Sequence, residues 1–177
     1  MRKEDFVSRM LKYNNPYVPY YYPIKRSFGQ TIESCSLEAV IAYTNLSDTK
    51  NRVMQNKEFI VAGLCYNISN QTSTTFVKFE ELLRRMVKAD LNGTRKKEVE
   101  NFLKLHYDDN GYFTKRFYSI AKKVISYLNS TETIDFISLL WDLDKWDDGN
   151  AVKMRWAMTI VNLKEDIKND PINKEDV

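Results

Sequence analysis

Apolar positions recur at helical spacing along most of this chain, with few clean alternations of period two. Phe6, Met10 and Leu11 predict a short opening helix. The stretch from Tyr13 to Pro23 holds Pro16, Pro19, Pro23 and five tyrosines. It predicts an extended connector, because proline lacks a donor and biases its predecessor away from helix. Pro23 fits the first turn of a helix through Lys25, Arg26 and Phe28 that ends near Gly29. Leu37, Val40, Ile41 and Thr44 mark an amphipathic helix ending between Asn45 and Asp48. Val53, Ile60 and Leu64 place another over Arg52 to Ile68, and the polar run Ser69 to Thr75 reads as a loop.

Phe76, Phe79, Leu83, Met86 and Val87 form the next stripe, with Glu80, Glu81, Arg84 and Arg85 mostly on the wet side. Asn92-Gly93 ends it, and Thr94 is the expected N-cap of a helix through Val99, Phe102, Leu103 and His106. After a turn at Asp108 to Gly111, a long helix runs through Phe113, Phe117, Ile120, Val124 and Leu128. Thr133 or Asp135 opens a hydrophobic helix that the acidic turn Asp147 to Asn150 interrupts. Val152, Trp156, Ile160, Leu163 and Ile167 form the last stripe. The expectation is an all-α fold of two packed helical bundles, seven to nine helices and no convincing strand. The bundles are placed at about 1–90 and 94–163, with a frayed acidic tail over 164–177.

Composition narrows this picture. At 177 residues and 43% hydrophobic, the chain suits one domain or two tightly packed halves. Five Gly and four Pro leave little turn chemistry for an all-β fold. Net charge is +3. Lys164 to Val177 hold three Lys against five Asp and Glu, a net of −2, so the body from Met1 to Leu163 carries +5. Such a mildly basic body can bind polyanions only through local patches. Two cysteines, Cys35 and Cys65, make neither a disulfide framework nor a zinc site by themselves. No apolar run follows the opening Met-Arg-Lys, and none approaches ~18 residues. A soluble cytoplasmic protein with no signal peptide and no membrane partner is expected. The five Asn-x-Ser/Thr triplets are then incidental to an Asn-rich chain.

Catalytic chemistry is thinly represented. The cluster Asp142, Asp144, Asp147, Asp148 fails as a calcium loop, since Trp146 falls on a ligand position in either register. It reads instead as a helix terminus followed by N-capping aspartates. His106 is the only histidine and sits in FLKLHYDD, a helix end where a cationic or hydrogen-bonded histidine is at home. Phosphate-loop, dinucleotide and zinc-protease motifs are absent. No catalytic residue, metal or cofactor is assigned. The basic pairs stand out more: Lys25-Arg26, Arg84-Arg85, Arg95-Lys96-Lys97, Lys115-Arg116, Lys122-Lys123 and Lys153 with Arg155. They are either solvated helix faces matched to nearby carboxylates or a surface that tracks phosphates. The tyrosine-rich connector is read as a strap over the core rather than a base-stacking element.

The three tryptophans, Trp141, Trp146 and Trp156, fall within 16 positions. Their segment reads Ile134-Asp135-Phe136, Leu139-Leu140, Trp146-Asp147-Asp148, Lys153, then Arg155-Trp156-Ala157. Upstream come IKRSFGQTIESCSLEAVIAYTNL, VAGLCY, FLKLHYDD and AKKVISYL. In that order these segments resemble the CasB family, the small subunit of the type I-E CRISPR Cascade complex. The resemblance covers about Ile24 to Ile160. It departs from the family where a basic pair before the Phe-Leu segment becomes Glu100 and Asn101, with Lys96 and Lys97 one turn earlier. Met-Thr-Ile-Val follows Arg-Trp-Ala where aromatics are usual, and the Pro/Tyr connector has no counterpart.

The resemblance implies an all-helical, non-catalytic subunit of an antiviral RNA-guided complex. Its partners would be the Cascade backbone and large subunits, a second copy of itself, and target and displaced DNA strands, with guide RNA nearby. The residues then expected to contact nucleic acid are Lys25, Arg26, Lys122, Lys123, Lys153 and Arg155, with Lys78 and Lys96. The tryptophans are expected in the core or joining the bundles. The rival reading is a helical protein–protein adaptor that binds no nucleic acid; an enzyme built on the aspartate cluster is a third.

Overall fold

The computed structural model describes residues 2–47, 55–68, 75–107 and 111–161. Several expectations lie outside them: Arg52 to Met54, the loop over 69–74, most of the Asp108 turn, Leu163, Ile167 and the acidic tail.

Nine α-helices and one short sheet make up the described residues. The first helix, α1 (Lys3–Lys12), opens with Arg2 N donating to Asp5 at 3.2 Å and buries Phe6, Val7 and Met10. The proline connector turns twice rather than running extended, through Val18 N to Asn15 O and Tyr21 N to Val18 O, both 3.0 Å. It feeds α2 (Tyr21–Arg26), whose first turn contains Pro23 as expected. Next come α3 (Leu37–Ser47) and α4 (Asn56–Asn67). Arg9 on α1 reaches across to the last carbonyls of α3, donating to Leu46 O at 2.9 Å and Asn45 O at 3.2 Å. Among the described residues those carbonyls have no partner within their own helix, so a cation there satisfies both hydrogen bonding and the helix dipole.

α3 presents the reverse of its expected face. Ala39, Ala42, Tyr43 and Leu46 are buried, while Leu37 and Ile41 are 73% and 53% exposed. Both arcs are apolar, so periodicity alone did not choose between them. Tyr43 decides: its hydroxyl donates to the buried Glu58 carboxylate of α4 at 2.7 Å and accepts from Gln55 N at 3.3 Å. A buried carboxylate without such a donor is costly. α4 is buried from Glu58 to Tyr66 and lies among α1, α2 and α8. Gly63 sits where a Cβ would come within 3.2 Å of the Phe28 backbone, so the α2 exit packs directly on α4.

The sheet corrects the expectation of no strand. β1 (Thr75–Val77) pairs in parallel with β2 (Glu132–Ile134) in the register Thr75 with Glu132, Phe76 with Thr133 and Val77 with Ile134. Each strand is three residues long and runs straight into a helix, α5 (Phe79–Lys88) and α8 (Phe136–Asp144). Between them lie α6 (Thr94–Leu103) and α7 (Tyr112–Val124), then one 3-10 turn at Ile125–Tyr127. α7 is one residue past Gly111, and α6 starts after Gly93, which takes the cap position expected for Thr94. Asp135 caps α8, accepting from Ser138 N at 3.0 Å. The last helix is α9 (Ala151–Val161).

Packing does not follow chain order. α8 lies on α1 and α4, whereas α9 lies on α5 and α6. The tryptophan segment therefore straddles the molecule. Trp146 and Trp156 are fully buried and meet edge to face at 5.2 Å. Around them stand Phe79, Phe102, Phe113 and Phe117, which link α5, α6, α7 and α9 in one aromatic cluster. Trp141 departs from the core expectation: it is 41% exposed, with Lys3 of α1 over its ring at 4.1 Å.

The ladder is anchored by Glu132, which Arg85 of α5 grips through two hydrogen bonds of 2.7 and 3.0 Å. Arg85 and the Asn129 amide hold its carboxyl down at about 2. A depressed carboxylate stabilises the fold above its unfolded pKa, and that stability is lost as pH falls through the folded value. Glu132→Gln should cost about 3 kcal/mol near neutral pH. In urea titrations the gap to the parent chain should then narrow as pH falls from 4.5 toward 2.

Candidate nucleic-acid interface

The surface of α7 is the most one-sided in charge. Its sequence, YFTKRFYSIAKKV, holds four cations and no carboxylate. Phe113, Thr114, Phe117, Ile120, Ala121 and Val124 face inward. At 100° per residue the remaining positions fall on one continuous arc. One edge carries Tyr112, Arg116, Ser119 and Lys123; the other carries Lys115, Tyr118 and Lys122.

The first edge faces α6 across an open cleft of about 530 Å³. Arg95, Lys97, Arg116 and Lys123 line it with Glu98, Asn92 and Asn101. Four cations thus stand against one carboxylate. Glu98 is bonded by Lys123 and by Arg95 at 3.3 Å, which holds the two helices in register; among the described residues Lys97 and Arg116 have no carboxylate partner. Arg95 is itself fixed from behind, its amide donating to Asp90. Such a cleft attracts and holds anions.

The second edge meets the exit of α2. Tyr118 packs against Phe28 edge to face at 4.8 Å, and Lys122 lies over the Tyr118 ring at 5.5 Å. Gly29 makes this joint, at φ +96°, where a Cβ would stand 2.8 Å from the Tyr118 ring. Arg26, exposed at the end of α2, lies two residues before Phe28 in this joint. Lys25, half-buried, instead covers the Tyr21 ring, its Nζ 3.3 Å from the Tyr21 hydroxyl.

The other expected contacts are distributed differently. Lys96 is exposed on α6 but does not line the cleft. Lys78 is exposed at the start of α5. Lys153 is 12% exposed, lying over the Trp146 ring and bonded to Asp147 at 3.2 Å. Arg155 bonds the Asp142 carboxylate and lies 3.4 Å from Glu80, both buried. Lys97 and Arg116 belong to basic runs noted in the sequence, yet only the α6–α7 packing singles them out.

The acidic segment is consumed structurally rather than capping α9. Asp142 accepts from Arg155 and from Trp156 Nε1, the latter at 2.9 Å. Asp144 pairs with Lys3. Asp147 accepts from the Tyr107 amide at 2.8 Å, His106 Nδ1 at 3.1 Å and Lys153. Against burial, which pushes it up, these contacts hold the Asp147 carboxyl below its ordinary range. Among the described residues no group of three or more His, Cys, Asp or Glu converges as a metal site requires. Burial pushes the Cys35 and Cys65 thiols up, away from the reactive thiolate. No helix among the described residues is long and apolar enough to cross a membrane.

No protein-family model and no curated protein matches the sequence. Solved structures do. The chain has the fold of CasB from M. ruber, with a TM-score of 0.67 over 95% of this chain and 97% of that one, at 14% identity. It matches a chain of a CRISPR RNA-guided surveillance complex equally well, with a TM-score of 0.66 over 93% and 96%, again at 14% identity.

Glu80 and Asp142 give Arg155 a structural task. Burial pushes the Glu80 carboxyl up, against the pull of its own amide and of Arg155. Arg155→Met strands both carboxylates and should cost about 3 kcal/mol in urea unfolding. Lys122→Glu, on the open edge of α7, should stay within about 0.5 kcal/mol of the parent chain.

Proposed function

We propose that this chain is a non-catalytic small subunit of a type I-E Cascade-like, RNA-guided complex, and that its α7 face contacts DNA strands opened during target recognition. The observation that carries this reading is the cleft between α6 and α7, with four cations, one carboxylate and a helix wall free of acids. The likeness of fold to CasB and to a chain of a surveillance complex supports it. In such complexes base pairing reads the sequence, and protein supplies charge along the backbone.

Within this reading the expected contacts sort by how free they are. Arg26, Lys122, Lys78 and Lys96 are exposed, and Lys97 and Arg116 join them from the cleft. Lys123 works from its bond to Glu98. Lys25, Lys153 and Arg155 contribute field rather than direct contact, since their heads are engaged within the protein. In the cytoplasm the subunit would sit beside the backbone and large subunits and a second copy of itself, near the guide RNA.

The adaptor reading is favoured by a separate observation. α3 leaves Leu37 and Ile41 exposed, and α9 leaves Met154, Met158 and Val161 at 59%, 50% and 49% exposure. Helices apolar on both sides are what a subunit presents to neighbouring protein. Membership of an assembly accommodates both observations; an adaptor without nucleic acid leaves the α6–α7 cleft without a role.

Charge reversal separates the two. Lys97→Glu with Arg116→Glu should weaken single-stranded DNA binding at least about tenfold. It should also flatten the slope of log K against log salt by about 1.4, as two lost phosphate contacts require. An unchanged slope, with the fold intact by circular dichroism, rejects the DNA-contact reading in favour of the adaptor.

A further inference from the structure

Four of the eleven tyrosines are followed four residues later by Lys or Arg: Tyr21 with Lys25, Tyr22 with Arg26, Tyr112 with Arg116, and Tyr118 with Lys122. All four pairs lie on α2 or α7, and residues four apart on a helix stand side by side. Two pairs are closed. Lys25 covers Tyr21 at 5.3 Å, and Lys122 covers Tyr118 at 5.5 Å.

The other two are open. Tyr22 is 51% exposed and Tyr112 is 55% exposed. Among the described residues no cation lies over either ring. Arg26 and Arg116, one turn on, have no carboxylate partner among the described residues either. Tyr22 is steadied by the buried Tyr21 ring, edge to face at 5.2 Å. Tyr112 heads the α7 row whose next members, Arg116 and Lys123, line the cleft. The Phe28–Tyr118 contact joins the chain two residues past Arg26 to the other edge of α7.

A ring with a free face beside an unpaired guanidinium matches one repeating ligand unit: a flat base next to a phosphate. Duplex DNA hides its base faces, so this match exists only for an unpaired strand. We infer that Tyr22 and Tyr112 are stacking platforms for the bases of single-stranded DNA, with Arg26 and Arg116 taking the adjoining phosphates. This inference rests on the DNA-contact reading above and adds base recognition to it.

The test is binding of the full chain to oligo(dT) of about 20 nucleotides, to an abasic oligonucleotide of the same length, and to duplex. Stacking is expected to give oligo(dT) at least about a fivefold advantage over the abasic strand for each ring engaged. Tyr22→Ala with Tyr112→Ala should abolish that advantage while leaving abasic binding and the salt slope as they were. Tyr22→Phe with Tyr112→Phe should keep it, because the face is retained and only the hydroxyl is lost. A parent chain that binds oligo(dT) and the abasic strand equally overturns the inference. So does an alanine variant that keeps the preference, or a phenylalanine variant that loses it; none of these touches the charge reading. A parent chain that binds no oligonucleotide overturns both. Tighter binding of oligo(U) than of oligo(dT) overturns the assignment to DNA.

Discussion

A carboxylate taken out of water must be met by donors and cations, and Asp142 imposes that requirement on three helices at once. It rides on α8, which belongs by packing to α1 and α4. Its partners, Arg155 and Trp156, ride on α9, which packs on α5 and α6. Arg155 in turn answers Glu80 of α5. Two buried acids and one arginine therefore tie the N-terminal helices to the aromatic cluster around Trp146 and Trp156. The geometry of the α7 face depends on it, because Phe113 and Phe117 are seated against Phe79 and Trp146.

Much of this was legible in the sequence where one face of a helix is apolar and the other is not. α5 and α7 have strong contrast: Phe79, Leu83 and Met86 of the one and Phe113, Phe117, Ile120 and Val124 of the other are buried as their spacing predicts, whereas Phe76 falls on β1 and is 62% exposed. α3 has apolar residues on both arcs, and a single tyrosine–carboxylate bond chose the inward one. The two strands escaped notice because three residues give no period to detect, and each is fused to a helix start. Glu80 read as solvated by its spacing; only a partner 75 positions away in the chain, Arg155, explains its burial.

The candidate surface divides in the same way. That α7 carries cations without acids is visible in thirteen letters. That Lys97 faces the cleft while Lys96 does not depends on the rotation of α6, which Val99 and Phe102 set by burying themselves. Lys153 and Arg155 look equivalent to the other basic residues in the sequence, yet Asp147 holds the one, and Asp142 and Glu80 hold the other. Resemblance to a family singles out a set of cations; the hydrogen bonds separate those engaged within the protein from those that are not.

Gly29 has a mechanical consequence. Its missing side chain lets the Tyr118 ring close on the chain leaving α2 with no slack. The joint between the α2 exit and α7 is therefore a rigid seam rather than a hinge. Under the proposed DNA contact, a strand crossing that seam would have to adjust its own backbone to fit, and the entropy of conforming would fall on the nucleic acid.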